Sequence, residues 1–203
     1  MSKTTSTVMK VAVVGGGPSG LTLAGILGRE APDGFEVTIL ERGSKDRFLG
    51  AGWDVSDEAK DALCRAGVEP EVYQCPGSDN MMFFRVDEDK PMTALRLPPY
   101  LEKIGIKKDH LGLGECNLET ERARMVGGLI ENLPSSTKIH FDVSISEARQ
   151  ADDKMELLAR DGSSLGMFDA VVDASGENST LRRTRFSKEA DAYYTGKCLD
   201  VHS

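Results

Sequence analysis

Gly15, Gly17 and Gly20 satisfy the pattern G-x-G-x-x-G inside VAVVGGGPSGLTLAGILGRE, residues 11–30. That spacing suits a backbone that must come close to a pyrophosphate. Gly15 can make the tight turn, and Gly17 presents no Cβ where the phosphates would lie. Gly20 opens a stripe of small residues with Ala24 and Gly28, which lets a helix lie close on a sheet. A helix that begins at Pro18 and Ser19 offers unpaired N–H groups and about half a positive charge to an anion. The bare pattern is weak, and its context strengthens it: an apolar run before it and helical spacing after it. A glycine turn that only joins strand to helix is the alternative.

Glu41 ends the apolar run in VTILERG, residues 37–43, and stands 21 residues beyond Gly20. This is close to the roughly 20-residue offset of an acid that binds a ribose 2′-hydroxyl. A carboxylate there repels a 2′-phosphate, so the site is expected to favour FAD or NAD over NADP. The adjacent Arg42 works the other way, since an arginine can accept such a phosphate.

The elements that must hold these residues are also legible. Lys10–Val14 predicts a strand buried on both faces, Pro18 to about Glu30 a helix, and Phe35–Leu40 a second strand, which together make one β-α-β unit. Ala31-Pro32-Asp33-Gly34 stops the helix. Ser56 can cap a short helix with Ala59, Ala62, Leu63 and Ala66 inward and Gly67 beyond its end. From residue 75 to 116 only MMFFRV at 81–86 predicts a strand. Leu118, Met125, Val126, Leu129, Ile130 and Leu133 predict a longer amphipathic helix ended by Pro134. Gly127 and Gly128 inside it cost about 1 kcal/mol each relative to alanine, so close packing is expected there. Lys138–Val143 predicts a strand, Lys154–Arg160 and Leu165–Phe168 a hairpin turning at Asp161-Gly162, and Asp169–Ala174 a further strand. The order predicts an α/β fold with a parallel sheet and an antiparallel hairpin insertion.

Composition narrows the function classes. The chain has 203 residues, 39% hydrophobic and 29% charged, which suits one sizeable core and falls short of two full domains. A formal net charge of −8 argues against nucleic acid or an anionic membrane as partner. Cys64, Cys75, Cys116 and Cys198 have neither disulfide-framework nor metal-ligand spacing, so a reducing, cytoplasmic setting and no metal site are expected. No apolar run is long enough to predict a membrane span.

VAVVGGGPSGLTLAGILGRE followed by VTILERG resembles the opening of FAD-dependent monooxygenases of the p-hydroxybenzoate hydroxylase type, with their Pro-x-Gly-Leu continuation and Glu-Arg pair. FDAVVDASGENSTLRR, residues 168–183, adds to the resemblance: Gly176, Ser179 and Arg182 match the family's Gly and S-x-x-R positions late in its FAD domain. Ser175 stands where the family usually has aspartate, and D-A-S-G is closer to the related flavin halogenases and geranylgeranyl reductases. The resemblance implies a Rossmann-like FAD-binding domain with Gly15, Gly17, Pro18, Ser19, Gly20, Glu41, Arg42, Gly176 and Ser179 at the cofactor. Arg122 resembles a flavin-proximal arginine that starts a helix, with Arg124 as the other candidate; an ordinary amphipathic helix with solvated arginines is an equal alternative. Arg47 falls roughly where the family places a basic residue near the flavin, although a solvated loop arginine is the reading preferred there, and Trp53 is either core or close to the ring.

In that family FAD does the redox chemistry, with NAD(P)H as possible reductant, and the protein supplies binding, orientation and water exclusion. No catalytic side chain is identified. The family's second flavin motif, a Gly-Asp turn after the substrate sheet, is not found after Arg185. Residues 1–9 are therefore expected to be a disordered polar arm, 10–186 the FAD-binding domain, and 187–203 the start of a substrate domain. The first expectation for function is a flavin-dependent monooxygenase or its N-terminal fragment, acting on an unknown small molecule. A nicotinamide- or flavin-linked reductase is a second. A non-catalytic, flavoprotein-derived subunit, its sheet completed by a protein partner, is a third.

Overall fold

Strand β1 (Met9–Val14) begins exposed and is buried over its last four residues, as a run of apolar residues between two covered faces must be. The computed structural model of the chain describes residues 8–45, 52–73, 80–84, 91–96 and 118–185. Helix α1 (Pro18–Glu30) and strand β2 (Phe35–Leu40) complete the expected β-α-β unit, with β1 and β2 parallel and Val11 paired with Val37. Two strands from much later in the chain flank this pair in parallel. Strand β11 (Ala170–Asp173) lies beside β1, and β7 (Thr137–His140) lies beside β2, giving the order β11-β1-β2-β7.

Alternation along β1 sends its side chains to two separate cores. Val11 and Val13 pack with Leu21 and Ala24 of α1, Leu63 of helix α2 (Asp57–Arg65), and Met125 and Leu129 of helix α3 (Arg122–Glu131). Ala12 and Val14 face the other way, onto Leu40, Ile145, Leu157, Phe168 and Leu181. That second layer is a three-stranded antiparallel sheet, β8 (Ile145–Ala151), β9 (Lys154–Ala159) and β10 (Ser164–Phe168), in the order β10-β9-β8. Helix α4 (Thr180–Arg185) closes it with Leu181. The α/β fold with a parallel sheet and an antiparallel insertion stands as the sequence predicts.

The expected hairpin is present, and β8 extends it by a strand that the pattern ISEARQA does not announce, because Ile145 alone among its residues is buried. Ser56 caps α2 by accepting the Ala59 N–H at 3.3 Å, and Gly67 adopts φ +85° just past its end. The helix expected over Leu118 to Leu133 is shorter, Arg122–Glu131. Leu118 belongs to strand β6 (Leu118–Glu121), which pairs antiparallel with β3 (Gly52–Val55), so pairing between distant segments overrides the helical periodicity there. Close packing inside α3 holds for Gly128, where a Cβ would come within 2.0 Å of the Tyr73 hydroxyl. It does not hold for Gly127, which has open space among the described residues. The strand expected at 81–86 forms as β4 (Asn80–Phe84), in a hairpin with β5 (Pro91–Arg96). β7 stops at His140, three residues early, because the chain turns at Asp142 with φ +60° and the Val143 N–H reaches the Glu41 carbonyl at 2.9 Å.

Of the small-residue stripe, Gly20 lies against the sheet, whereas Gly28 faces Pro134, 2.9 Å from where its Cβ would stand. Arg47, residues 1–7 of the arm expected over 1–9 and the segment 187–203 lie outside the described residues, and Met9, the last residue of that arm, already belongs to β1. Among the described residues no helix is long and apolar enough to cross a membrane.

Candidate functional site

The turn after β1 is built by backbone contacts that tolerate only glycine. Gly15 has φ +109°, donates its N–H to the Leu40 carbonyl at 2.9 Å, and has the Ala174 carbonyl 2.5 Å from where a Cβ would stand. Gly20 is buried under the turn, and its Cβ would lie 2.1 Å from the Gly15 carbonyl oxygen. Gly17 differs from both. Its φ of −76° suits any residue, and nothing lies within 4 Å of its would-be Cβ. It is the N-cap of α1, without a side-chain capping bond, and Pro18 follows at the first helical position. Helix geometry leaves the N–H groups of Ser19 and Gly20 without intrahelical acceptors.

Glu41 stands directly beyond this turn. Its carboxylate accepts the Gly16 N–H at Oε2 and the Gly43 N–H at Oε1, both at 2.6 Å. Two charge-assisted bonds of this kind hold the carboxylate in one orientation at the end of β2.

Around these two features runs a cleft of about 810 Å³. Residues 15–19 form its floor, and residues 41–44 with Val143, Ser144, Ile145 and Arg160 form one end. Arg122, Ala123 and Val126 of α3 form a second wall, and Ala174, Ser175, Gly176, Asn178, Thr180 and Leu181 a third. Among the described residues, three of those that line it are arginines (Arg42, Arg122 and Arg160), and Glu41 is the single lining acid. A chain of net charge −8 thus places a locally cationic surface beside a helix N-terminus, an arrangement suited to an anion with several charges.

The structure brings Gly15, Gly17, Pro18, Ser19, Glu41, Arg42, Arg122 and Gly176 around this one cleft. Gly20 and Ser179 are placed behind it. Ser179 is 2% exposed; its hydroxyl donates to the Asp173 carboxylate and accepts the Arg182 N–H at 2.9 Å. Sequence reasoning missed the Val143–Ile145 segment and Arg160, which carry no local motif and reach the cleft only through sheet order. It also passed over Asp173, although a charged residue ending the apolar strand in VVDASG is a visible signal. The backbone of Trp53 lies in β3 opposite Thr120.

The donor set fits a dinucleotide. Gly17 leaves open space at a helix N-terminus, an acid ends the neighbouring strand, and arginines line the cleft. Comparisons with known proteins agree. The profile of the family described as "FAD binding domain" matches residues 8–126, more than half of the chain. Monooxygenase CTB7 of Cercospora beticola is 26% identical over 185 residues, covering 89% of this chain and 41% of that protein. Salicyloyl-CoA 5-hydroxylase of a Streptomyces species is 29% identical over 174 residues, covering 86% and 28%. The chain therefore spans well under half the length of these curated relatives. Tetracycline destructase Tet(51) shares the fold with a TM-score of 0.65 at 22% identity, over 90% of this chain and 43% of that one. Klebsiella pneumoniae HpxO, in a complex with FAD and uric acid, does so with a TM-score of 0.56 at 21% identity, over 86% and 41%. The chain belongs to the FAD-binding domain family, and FAD is its cofactor.

Proposed function

We propose that this chain is the ADP-holding part of a flavin-dependent monooxygenase. The observation that carries the reading is the open space at Gly17, at the N-terminus of a 13-residue helix and on the floor of an arginine-walled cleft. In this proposal the N–H groups of Gly17 and Ser19 bind the pyrophosphate, while Gly15 makes the turn, Gly20 lets the helix pack beneath it and Pro18 fixes the helix entry. Glu41 accepts from the ribose hydroxyls, Arg42 faces the adenosine end, and Arg122 marks the flavin end. Gly176 backs the phosphates, and Ser179 holds the loop that carries it. FAD, when bound, would supply the redox chemistry between NAD(P)H and dioxygen. The chain's own contribution is binding, orientation and shielding of the phosphates from water. Monooxygenation is supported by the names of the relatives, among them a monooxygenase and a hydroxylase. Residues 10–186 are assigned to the FAD domain and 187–203 to the beginning of a substrate-binding part; the setting is the reducing cytoplasm.

Titration of the chain with FAD, followed by flavin fluorescence, is expected to saturate, and NADP is expected not to compete. Binding of NAD without affinity for FAD would replace the reading with a nicotinamide-linked one. With FAD and NAD(P)H present, the ADP-holding part alone is expected to pass electrons to dioxygen as hydrogen peroxide, without hydroxylated product. Flavin reduction with no oxygen uptake reduces the reading to a flavin-linked reductase.

A further inference from the structure

Asp173 ends β11 beside Val14, the last residue of β1, so it stands where the cleft wall leaves the parallel sheet. Three donors converge on its carboxylate. The Ser175 N–H lies 3.1 Å from Oδ1, the Ser175 hydroxyl donates to the same oxygen, and the Ser179 hydroxyl donates to Oδ2. Ser179 in turn accepts the Arg182 N–H at 2.9 Å, which joins the carboxylate to α4. Between the two serines the chain passes through Gly176 with φ +82°. The segment held in this way is the one that meets the glycine turn, since the Ala174 carbonyl and Ser175 Cα crowd the space at Gly15. Ala174, Ser175 and Gly176 all line the cleft, whereas the Asp173 side chain does not.

We infer that Asp173 is a positioning residue for the dinucleotide: by clamping Ser175 and Ser179 it fixes the wall of residues 174–176 against Gly15 and so sets the width of the phosphate end of the cleft. The inference rests on the FAD-binding reading. Asp173 is itself exposed, so removing its carboxylate empties no core, and hydrogen bonds to a charged group are strong enough to hold a short loop in one conformation. A wall fixed in advance also spares the ligand the cost of ordering it.

The test compares ligands that reach different distances along the cleft. Asp173→Ala should weaken FAD and ADP by about tenfold, the scale of one charge-assisted hydrogen bond. AMP, which lacks the second phosphate, should bind as before. Because Ser175 is held through its hydrogen bonds to Asp173, the Asp173→Ala, Ser175→Ala double variant should lose no more than Asp173→Ala alone. Should Asp173→Ala fail to fold, Ser175→Ala carries the same expectation at about threefold, since it removes one donor of the set. Unchanged FAD and ADP affinity overturns the inference, as does an equal loss for AMP, which would mark a general structural role. If the unmodified chain binds neither FAD nor ADP, the functional reading itself fails, and this inference with it.

Discussion

At the N-terminal end of α1, Gly17 caps the helix with no side-chain hydrogen bond and its N–H groups open onto the cleft. At the other end of the same helix the protein satisfies itself. The Ala31 N–H reaches the Leu27 carbonyl at 3.2 Å, and Arg29 ties in two further helices. Its Nε donates to the Ala66 carbonyl at 2.9 Å and its Nη2 to the Asn132 carbonyl at 2.6 Å, so one guanidinium caps the C-termini of α2 and α3. A cation at helix C-termini is favourable for the same reason that an anion is favourable at an N-terminus. The difference teaches where stability and function separate along 13 residues: groups answered by the protein hold the fold, and groups left unanswered await a ligand.

Substitution at the two kinds of glycine breaks this comparison most sharply. Gly17→Val places a side chain in open space at an unstrained φ, so the fold should survive while FAD affinity falls by more than about a hundredfold, the phosphate approach being blocked. Gly20→Ala should do the opposite in kind. Its Cβ would overlap the Gly15 carbonyl, and overpacking of this sort costs about 1–3 kcal/mol of stability. Flavin fluorescence titration and denaturant unfolding of both variants separate the effects. A Gly17→Val protein that still binds FAD normally would end the pyrophosphate assignment.

Glu41→Ala should weaken FAD by about 1.5–3 kcal/mol, the range for a hydrogen bond to a charged group. Glu41→Gln keeps one acceptor for the Gly16 or Gly43 N–H and should fall between the two. Calorimetric titration checks the ranking, and equal affinity in all three proteins would remove Glu41 from the ribose site. At the far end of α1, Arg29→Ala should cost about 1–2 kcal/mol of folding stability through its two lost carbonyl contacts, with FAD affinity unchanged. A loss of FAD affinity without a loss of stability would reverse the division between the two ends.

The smallest effect concerns pH. Asp169 joins β10 to β11; its carboxylate accepts the Lys154 ammonium and, at 2.7 Å, the Lys10 N–H. The Lys154 hydrogen bond first, then the Lys10 N–H, holds the Asp169 pKa below the ordinary aspartate value. A depressed carboxylate contributes stability above its unfolded pKa of about 3.9 and loses it as pH falls through the lower folded value. The melting-temperature gap between the unmodified protein and Asp169→Asn should therefore be present at neutral pH and vanish in acid. A gap that persists well below the ordinary aspartate pKa would mean that the ion pair is not its source.

The β1-α1-β2 unit was legible because each of its signals is local. An apolar run, a glycine turn, helical spacing and Glu41 at the right offset all fall within about 35 consecutive residues, the span of one crossover. β8 was not legible, since its burial comes from β9 and the core beneath it and leaves no alternation in ISEARQA. Leu118 fitted a helical stripe and yet pairs with Val55, because strand pairing with β3 outweighs a weak periodicity. Gly28 fitted a stripe facing the sheet and packs instead on Pro134, a contact more than a hundred residues away in sequence.

By itself the sequence determined the chemistry of the cleft's floor: which backbone positions lack a Cβ, where a helix dipole begins, and where an acid ends the second strand. Those properties depend on residue type and short-range geometry, which the chain carries wherever it folds. Only the tertiary structure decided the walls. The order β11-β1-β2-β7 brings Ala174 against Gly15, and the turn after β7 seats Val143 against Glu41. The antiparallel layer packed behind the parallel sheet carries Arg160 to the same cleft. Each wall joins segments about 100 or more residues apart, and their meeting depends on parallel registry and the burial of two cores, neither of which any local pattern encodes.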